Sequence, residues 1–348
     1  MSEKLLEVKN LKTYFDMHGY TVRAVDGVDF HIEHGETLGI VGESGCGKSQ
    51  TSMSIMRLVP DPPGKIVDGE VLFRGKDLLK LKEEEMRRIR GNDISMIFQE
   101  PMTSLNPVYT VGYQISEVLM LHRDMSKQEA LSESARLLGE VGISDPKSRV
   151  HEYPFQLSGG LRQRVMIAMA MACEPAVMIA DEPTTALDVT IQAQILRLMT
   201  RLKAERDTAI MFITHDLAVI ANFSQRVMVM YAGVVVETTS VQNIFKQAMH
   251  PYTQGLLGSI PVLGESKFNP DGSRRLLQAI PGTLPDPKRP PQGCRFASRC
   301  PKVMPKCHVA EPALVYREDG HQVRCYLYGD EVRPKSETDT QQEAAHAK

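Results

Sequence analysis

A glycine-rich string that begins at Gly42 has the residue types needed to bind phosphate. Residues 42–49 read GESGCGKS and lie between an apolar run and a helical pattern. Glycine lets several backbone N–H groups point at one phosphate, and the N-terminus of the following helix is partially positive. We expect Lys48 to reach the β- and γ-phosphates of a nucleotide and Ser49 to hold Mg²⁺.

The alternative to this phosphate-binding loop is a glycine turn with an incidental lysine. Chance gives such a string in roughly one protein of this length in a hundred, and the flanking strand and helix patterns lower that frequency. We interpret the Cys46 side chain as a packing group. The predicted nucleotide-contacting residues are Gly42, Ser44, Gly45, Cys46, Gly47, Lys48, Ser49 and Gln50.

Two adjacent carboxylates follow a second apolar run. Asp181 and Glu182 come directly after Val177–Ala180. Ligands bind at the carboxyl ends of strands in an open parallel sheet, so Asp181 is placed to hold Mg²⁺ through its water shell. Glu182 can act as the general base for an attacking water. His215 follows the next apolar run and could contact the γ-phosphate, although a lone histidine after a strand is more often structural.

The string LSGGLRQR, from Leu157, offers a second anion site. Ser158 and two glycines begin a helical pattern there, and helix N-terminal amides can bind an anion without a lysine. In isolation the string is better explained as an ordinary helix N-cap.

Composition predicts a soluble globular protein with one large α/β domain and an appendage. The chain has 348 residues, 42% hydrophobic and 24% charged, and a net charge of −2 that gives no reason to expect nucleic acid. The N-terminus lacks the apolar region of a secretory signal. No eighteen uncharged apolar residues run together, so we expect a chain made in the cytosol that does not span a bilayer.

The elements that must position these residues follow from the apolar spacing. Residues 5–36 alternate as antiparallel strands, and residues 110–141 have helical spacing. A helix is expected from about Lys48 to Leu58. After Gly160, helical and strand patterns alternate, which implies a largely parallel sheet with helical crossovers.

These motifs resemble the ABC ATPase family over about Leu5 to Leu257. The matching strings are Walker A at 42–49, the Q-loop Gln99, the signature from Leu157, Walker B at Asp181 with Glu182, the D-loop at Ala186-Leu187-Asp188 and the switch histidine His215.

The resemblance implies that two cassettes stack head to tail, with each ATP between one Walker A loop and the other cassette's signature. Ser158, Gly160 and Asp188 would then contact nucleotide held by the partner. It also gives Gln99 a catalytic and Mg²⁺-binding role. Either Tyr14 or Phe15 would stack on adenine; we favour Phe15, and ordinary strand packing is the alternative for both.

Longer strings resemble the oligopeptide and dipeptide importers within that family: QEPMTSLNPVYTVGYQI, HPYTQGLL, PGTLPDP and CRFASRCP. The resemblance implies ATP-driven peptide uptake, with import of nickel or another small solute as the alternative. A soluble ABC ATPase of translation or DNA repair is disfavoured by the single cassette and the absence of heptads.

The partners implied are a second ABC ATPase subunit, two transmembrane permease subunits and an extracytoplasmic peptide-binding protein, with no nucleic acid. A heterodimer of cassettes is expected and a homodimer is the alternative. The location implied is peripheral, on the cytoplasmic face of the inner membrane.

Cys294, Cys300, Cys307 and Cys325 are separated by five, six and seventeen residues, which is looser than common zinc or ferredoxin spacing. Four cysteines so close together in a cytosolic chain still favour soft-metal ligation over disulfides. The importer resemblance implies a [4Fe-4S] cluster, with Zn²⁺ or free thiols as alternatives.

The predicted fold class is α/β: a P-loop ATPase core with an antiparallel β subdomain, an inserted helical subdomain and a small Cys-rich C-terminal element. The predicted ranges are 1–260 for the ATPase domain, with the helical subdomain at about 100–172, then 261–332 for the C-terminal region and 333–348 for a disordered tail.

Overall fold

The computed structural model describes residues 4–99, 104–185, 187–261 and 279–334. Its strands are β1 (Lys4–Met17), β2 (Tyr20–Glu33), β3 (Thr37–Val41), β4 (Gly64–Phe73), β5 (Lys76–Asp77), β6 (Ile94–Ile97), β7 (Val177–Asp181), β8 (Ala209–Thr214), β9 (Arg226–Tyr231), β10 (Val234–Ser240), β11 (Val315–Tyr316) and β12 (Gln322–Val323).

The helices of the described residues are α1 (Lys48–Ile55), α2 (Glu83–Ile89), α3 (Val111–Arg123), α4 (Lys127–Glu140), α5 (Pro146–Arg149), α6 (Gly159–Met171), α7 (Val189–Arg206), α8 (Leu217–Phe223), α9 (Val241–Gln247) and α10 (Pro251–Gly258). Short 3₁₀ turns lie at Leu78–Lys80, Pro154–Gln156, Ala297–Arg299 and Pro305–His308. None of the helices in these ranges is both long and apolar enough to cross a membrane.

A smaller sheet has the strand order β2-β1-β4-β5. Strand β1 pairs antiparallel with both β2 and β4, so Val8 lies between Phe30 and Val71. Alternate apolar side chains are buried against the core along β2, from Val28 to Ile32, and at the end of β4, as period-two spacing requires. The antiparallel prediction for residues 5–36 is confirmed.

A larger sheet carries the candidate chemistry. Its order within the described residues is β11-β12-β10-β9-β3-β8-β7-β6, and neighbours from β9 to β6 are parallel. Every residue of β3, β7 and β8 is buried, because helices and the smaller sheet cover both faces. The predicted parallel core is confirmed. Since these strands are parallel, the ends of β3, β6, β7 and β8 meet at one edge.

A helical layer follows β6. Helices α3, α4 and α6 pack on one another through buried residues such as Ile115, Leu119 and Leu138. The helical spacing of residues 110–141 therefore corresponds to two helices. The break lies at Asp124, whose φ of 51° ends α3, and Ser126 then caps α4 with a capping box to Glu129.

Residues 279–334, called the C-terminal segment below, pack on the larger sheet. Strand β12 pairs with β10, and Arg324 donates to the carbonyl of Val235 at 2.8 Å. The predicted tail began at Arg333, but Arg333 is bonded to Glu311 at 2.9 Å and to the Asp26 carbonyl at 2.8 Å. The rest of the predicted tail, 335–348, lies outside the described residues.

Candidate active site

The phosphate loop joins the end of β3 to the start of α1, and two of its glycines are required by close packing. A Cβ on Gly42 would lie 2.3 Å from the Met230 carbonyl oxygen. A Cβ on Gly47, where φ is +106°, would lie 2.3 Å from the Ala24 carbonyl oxygen. Real Cβ atoms do not approach oxygen so closely, so any other residue would displace the loop. Ser44 and Gly45 are exposed on its outer side.

Lys48 lies inside this loop and is 4% exposed. Its Nζ donates to the carbonyls of Gly42 at 2.8 Å and Glu43 at 3.1 Å. The ammonium is thus held where phosphate oxygens can take over as acceptors. Cys46 is buried beside it, and burial raises the pKa of the thiol, so the side chain is a neutral packing group at pH 7.

Ser49 and Asp181 bring hard oxygen ligands together. The Ser49 hydroxyl hydrogen-bonds the Asp181 carboxylate at the end of β7, and burial raises the pKa of that carboxyl group. The Asp181 Oδ1 atom is buried and has no hydrogen-bond partner among the described residues, and the same holds for Gln50 Oε1. An orphaned carboxylate oxygen next to a hydroxyl fits Mg²⁺, which prefers oxygen ligands and retains several waters.

Glu182 is the centre of a cluster that unites the three predicted catalytic residues. Gln99 Nε2 donates to Glu182 Oε2 at 3.2 Å, and His215 Nδ1 lies 3.4 Å from the same oxygen. Thr185, which sequence reasoning missed, donates its hydroxyl to Oε2 at 2.9 Å. The only sequence signal for this contact is that Thr185 lies three residues after Glu182.

The Glu182 backbone has a φ of +46°, a left-handed conformation that is uncommon outside glycine. Its N–H donates to the Ile213 carbonyl in β8 at 2.9 Å, which fixes the turn after β7. Its side chain is 10% exposed, so the carboxylate is sheltered yet reachable by one water. Strain of this kind concentrates at functional sites.

The two candidate adenine-stacking residues lie in different environments. Tyr14 is 2% exposed, and its hydroxyl donates to Asp26 Oδ1 at 2.8 Å. Phe15 is half-buried, and a Cβ on Gly64 would lie 2.6 Å from its ring. Burial removes Tyr14 from contact with a ligand, and Phe15 stays the prediction for the stacking residue.

Ser158 and Asp188 are both helix N-caps, which agrees with the simpler explanation of the signature string. Ser158 Oγ accepts from Leu161 N–H at 3.4 Å, and Asp188 Oδ1 accepts from Ile191 N–H at 3.0 Å. A Cβ on Gly160 would lie 2.9 Å from Ile191, so the starts of α6 and α7 are neighbours. Ser158 and Asp188 are exposed, which leaves this surface open to another molecule. Ala186 lies outside the described residues.

The four cysteines of the C-terminal segment are free thiols that lie near one another. Burial, with a smaller contribution from the neighbouring Cys307 and Cys325, raises the pKa of Cys294 to about 12. Backbone N–H groups of Phe296, Lys302 and Leu327 point at the sulfurs of Cys294, Cys300 and Cys325 respectively.

Within the described ranges, no three His, Cys, Asp or Glu side chains are arranged to hold a metal ion. His321, which is four residues before Cys325, is paired with Glu237, with 2.7 Å between Nε2 and Oε1. The predicted iron–sulfur or zinc centre is therefore not supported by this geometry.

Comparisons with known proteins agree with the fold and the site. Residues 25–185 match the family model described as ABC transporter, and residues 236–307 match the one described as Oligopeptide/dipeptide transporter, C-terminal region. The oligopeptide transport ATP-binding protein AppD of Bacillus subtilis is 54% identical over 332 residues, covering 95% of this chain and 99% of AppD. The dipeptide transport ATP-binding protein DppD of Bacillus subtilis is 53% identical over 325 residues, covering 93% of this chain and 95% of DppD.

Among solved structures, a dimer of the ATP-binding cassette MJ0796 in a post-hydrolysis state, bound to ADP and Pi, has a TM-score of 0.61. It is 29% identical and covers 68% of this chain and 98% of that chain. The fold, the phosphate loop and the Glu182 cluster define an ABC ATPase cassette, and the chain belongs to the ABC transporter family. Within that family it belongs to the group of oligopeptide and dipeptide transport ATP-binding proteins.

Proposed function

We propose that this chain binds and hydrolyses MgATP to power the import of peptides through separate permease subunits. The observation that carries the proposal is the edge of the larger sheet, where Lys48, Ser49, Asp181 and Glu182 lie together. The close relatives named as oligopeptide and dipeptide transport proteins support a peptide cargo. Import of nickel or another small solute is the second candidate.

The chemistry follows from the positions of these side chains. Lys48 binds the β- and γ-phosphates. Ser49 and Asp181 would hold Mg²⁺, which would neutralise charge on the phosphate oxygens. Glu182 accepts a proton from a water molecule while the oxygen of that water attacks the γ-phosphorus. The bond from that phosphorus to the β–γ bridging oxygen breaks, and ADP leaves. Gln99 and His215 orient the water and contact the γ-phosphate.

The remaining ligand contacts of the proposal come from the loop and from a second cassette. Phe15 stacks on adenine, and the loop amides bind the phosphates. Ser158, Gly160 and Asp188 contact the nucleotide of the partner cassette, which is supported by the exposure of Ser158 and Asp188 and by the dimeric MJ0796 structure. A heterodimer is the expected form and a homodimer the alternative.

The permease contact is proposed at an open groove of about 640 Å³ between helix α3 and the chain around strand β6. Phe98, Tyr113 and Leu121 line it and are 40%, 36% and 71% exposed. Phe98 directly precedes Gln99, so a permease segment bound in this groove would be coupled through Gln99 to the position of Glu182. With this contact, the proposed location is peripheral, on the cytoplasmic face of the inner membrane, with a peptide-binding protein on the other side.

The experiment for this proposal is reconstitution of the chain in lipid vesicles with two permease subunits, a second cassette and a peptide-binding protein from the same organism. We expect uptake of labelled peptide that requires MgATP and the binding protein. Nickel uptake without peptide uptake would replace the cargo assignment. Failure to assemble with the permeases, together with nuclease-sensitive binding to nucleic acid, would contradict the transporter role.

A [4Fe-4S] cluster on Cys294, Cys300, Cys307 and Cys325 is a separate part of the proposal. The proposal rests on the resemblance to the importers and on the N–H groups that face three of the sulfurs, since such hydrogen bonds tune clusters. The described side chains are not themselves arranged around a metal ion. Metal and sulfide analysis of the anaerobically purified chain tests it. Iron with acid-labile sulfide indicates the cluster, zinc alone indicates the alternative, and neither indicates free thiols.

A further inference from the structure

The carboxylate of Glu43, the second residue of the phosphate loop, is bound by the C-terminal segment. Arg299 Nη1 donates to Glu43 Oε2 at 2.7 Å, and Nη2 donates to Oε1 at 2.9 Å. Two parallel charged hydrogen bonds are stronger and more directional than one. The Arg299 side chain is 5% exposed and that of Glu43 28%, so the pair is largely shielded from water.

The Arg299 guanidinium has a fixed position. Its Nε donates to the Pro281 carbonyl at 2.9 Å, its Nη2 to the Ile280 carbonyl at 3.3 Å, and its Nη1 to the Tyr231 hydroxyl at 3.3 Å. Tyr231, at the end of β9, packs edge-on against Phe296 with ring centroids 5.2 Å apart. The core and the C-terminal segment together therefore determine where Glu43 can be held.

The backbone of Glu43 is part of the phosphate-binding machinery. Its N–H donates to the Tyr252 hydroxyl at 2.9 Å. Its carbonyl oxygen accepts from Lys48 Nζ at 3.1 Å and from Cys46 N–H at 3.2 Å. A shift of Glu43 would consequently move both the loop and an acceptor of the lysine that binds phosphate.

We propose that Arg299 is a positioning residue that sets nucleotide affinity by holding and neutralising Glu43. The proposal rests on the proposed function, because the nucleotide must bind at this loop. With Arg299 in place, the Glu43 carboxylate is paired and turned away. Without it, an unpaired negative charge lies in the loop that must accept a polyphosphate, and repulsion weakens binding.

The test is the Kd of the purified full chain for MgADP and MgATP in four forms: parent, Arg299→Gln, Glu43→Gln and the double variant. We expect Arg299→Gln to raise Kd about tenfold, which is less than for removal of one partner of a fully buried charge pair because the Glu43 side chain is partly exposed. The double variant should bind within about threefold of the Glu43→Gln single variant, because no unpaired carboxylate remains for Arg299 to neutralise. Rescue by the second substitution distinguishes charge pairing from general damage to the fold.

The matched control is Arg206→Gln. Arg206 is also largely buried and pairs with Glu140 at 2.6 Å, but it ends α7 at the opposite edge of the sheet. Its loss should leave Kd unchanged. Parent-like affinity of Arg299→Gln, or no recovery in the double variant, would overturn the inference. If Arg299→Gln does not fold, Arg299→Lys replaces it, with Kd raised about threefold as the expectation and parent-like Kd as the refuting result. A parent chain that binds no nucleotide would instead refute the proposed function.

Discussion

The side-chain amide of Gln99 donates to the Glu182 carboxylate at 3.2 Å, although the two residues are 83 positions apart in sequence. Gln99 follows β6, Glu182 follows β7, and the parallel pairing of these strands brings their ends together. The same oxygen of Glu182 is contacted by Thr185 and His215. Movement of the segment after β6, next to the proposed permease groove, would therefore change the hydrogen bonds of Glu182, the proposed general base.

Substitution of Gln99 tests this connection. We expect Gln99→Ala to lower the ATPase rate of the assembled complex roughly 10- to 100-fold, because an orienting hydrogen bond is lost while the phosphate loop is intact. The Kd for MgATP should change little. The exposed Gln128→Ala on α4 is the control, and an unchanged rate for Gln99→Ala would exclude a role for Gln99 in setting the base.

A methyl group on Gly47 should abolish nucleotide binding. The added Cβ would lie 2.3 Å from the Ala24 carbonyl oxygen, and the φ of +106° is strained for alanine. Gly19→Ala is a matched control, because its φ is +88° but nothing lies within 4 Å of the added atom. It should cost about 1 kcal/mol of stability and leave MgATP binding intact. Calorimetric titration of both variants measures the difference.

Magnesium binding should depend on Asp181. We expect Asp181→Asn to remove Mg²⁺-dependent ATP hydrolysis, because the carboxylate that completes the Ser49 ligand set is lost. Without metal or nucleotide, the same variant should be more stable than the parent by about 1 kcal/mol, since a buried charged oxygen without a partner is removed. Thermal unfolding in EDTA measures this, and a lower unfolding temperature would contradict the burial argument.

Asp26 links the smaller sheet to the C-terminal segment and makes stability depend on pH. Burial alone would raise its pKa, but the guanidinium groups of Arg295 and Arg333 lower it well below the ordinary value. A carboxyl group with a lowered pKa stabilises the fold above its unfolded pKa of about 4, and this contribution is lost as pH falls towards the folded value.

Asp26→Asn should therefore cost about 3 kcal/mol of unfolding free energy at pH 7, as expected for breaking a buried charge pair. The difference from the parent should shrink below about pH 4. Urea unfolding across this pH range is the measurement. The exposed pair of Arg201 and Glu205, 3.8 Å apart, gives the control Glu205→Gln, which should cost less than about 1 kcal/mol.

The parts of the site that are formed by consecutive residues could be predicted from the sequence. The loop at 42–49 and the pair Asp181–Glu182 each follow an apolar strand pattern, so their place at one edge of a parallel sheet could be inferred. Helix α1 ends earlier than expected, at Ile55. The reason is tertiary: Arg57 adopts a φ of 50° and donates to the carbonyls of Leu78 and Leu81.

Contacts between distant residues could not be predicted in this way. Arg299 and Glu43 are 256 positions apart, and neither belongs to a motif that specifies the other. The burial of Tyr14, which donates to Asp26 Oδ1, could not be predicted either, because it depends on contacts between strands β1 and β2. Phe15 as the adenine-stacking residue stays a prediction.

The central claim is that Glu182 is the general base of ATP hydrolysis, and the ATPase rate of Glu182→Gln in the assembled complex tests it most directly. Glu174→Gln is the control, because Glu174 has a similar φ of 48° but lies at the opposite edge of the sheet and is 62% exposed. We predict a loss of at least about 10²-fold for Glu182→Gln with MgATP binding retained, and a parent-like rate for Glu174→Gln. Hydrolysis by Glu182→Gln at the parent rate would contradict the account.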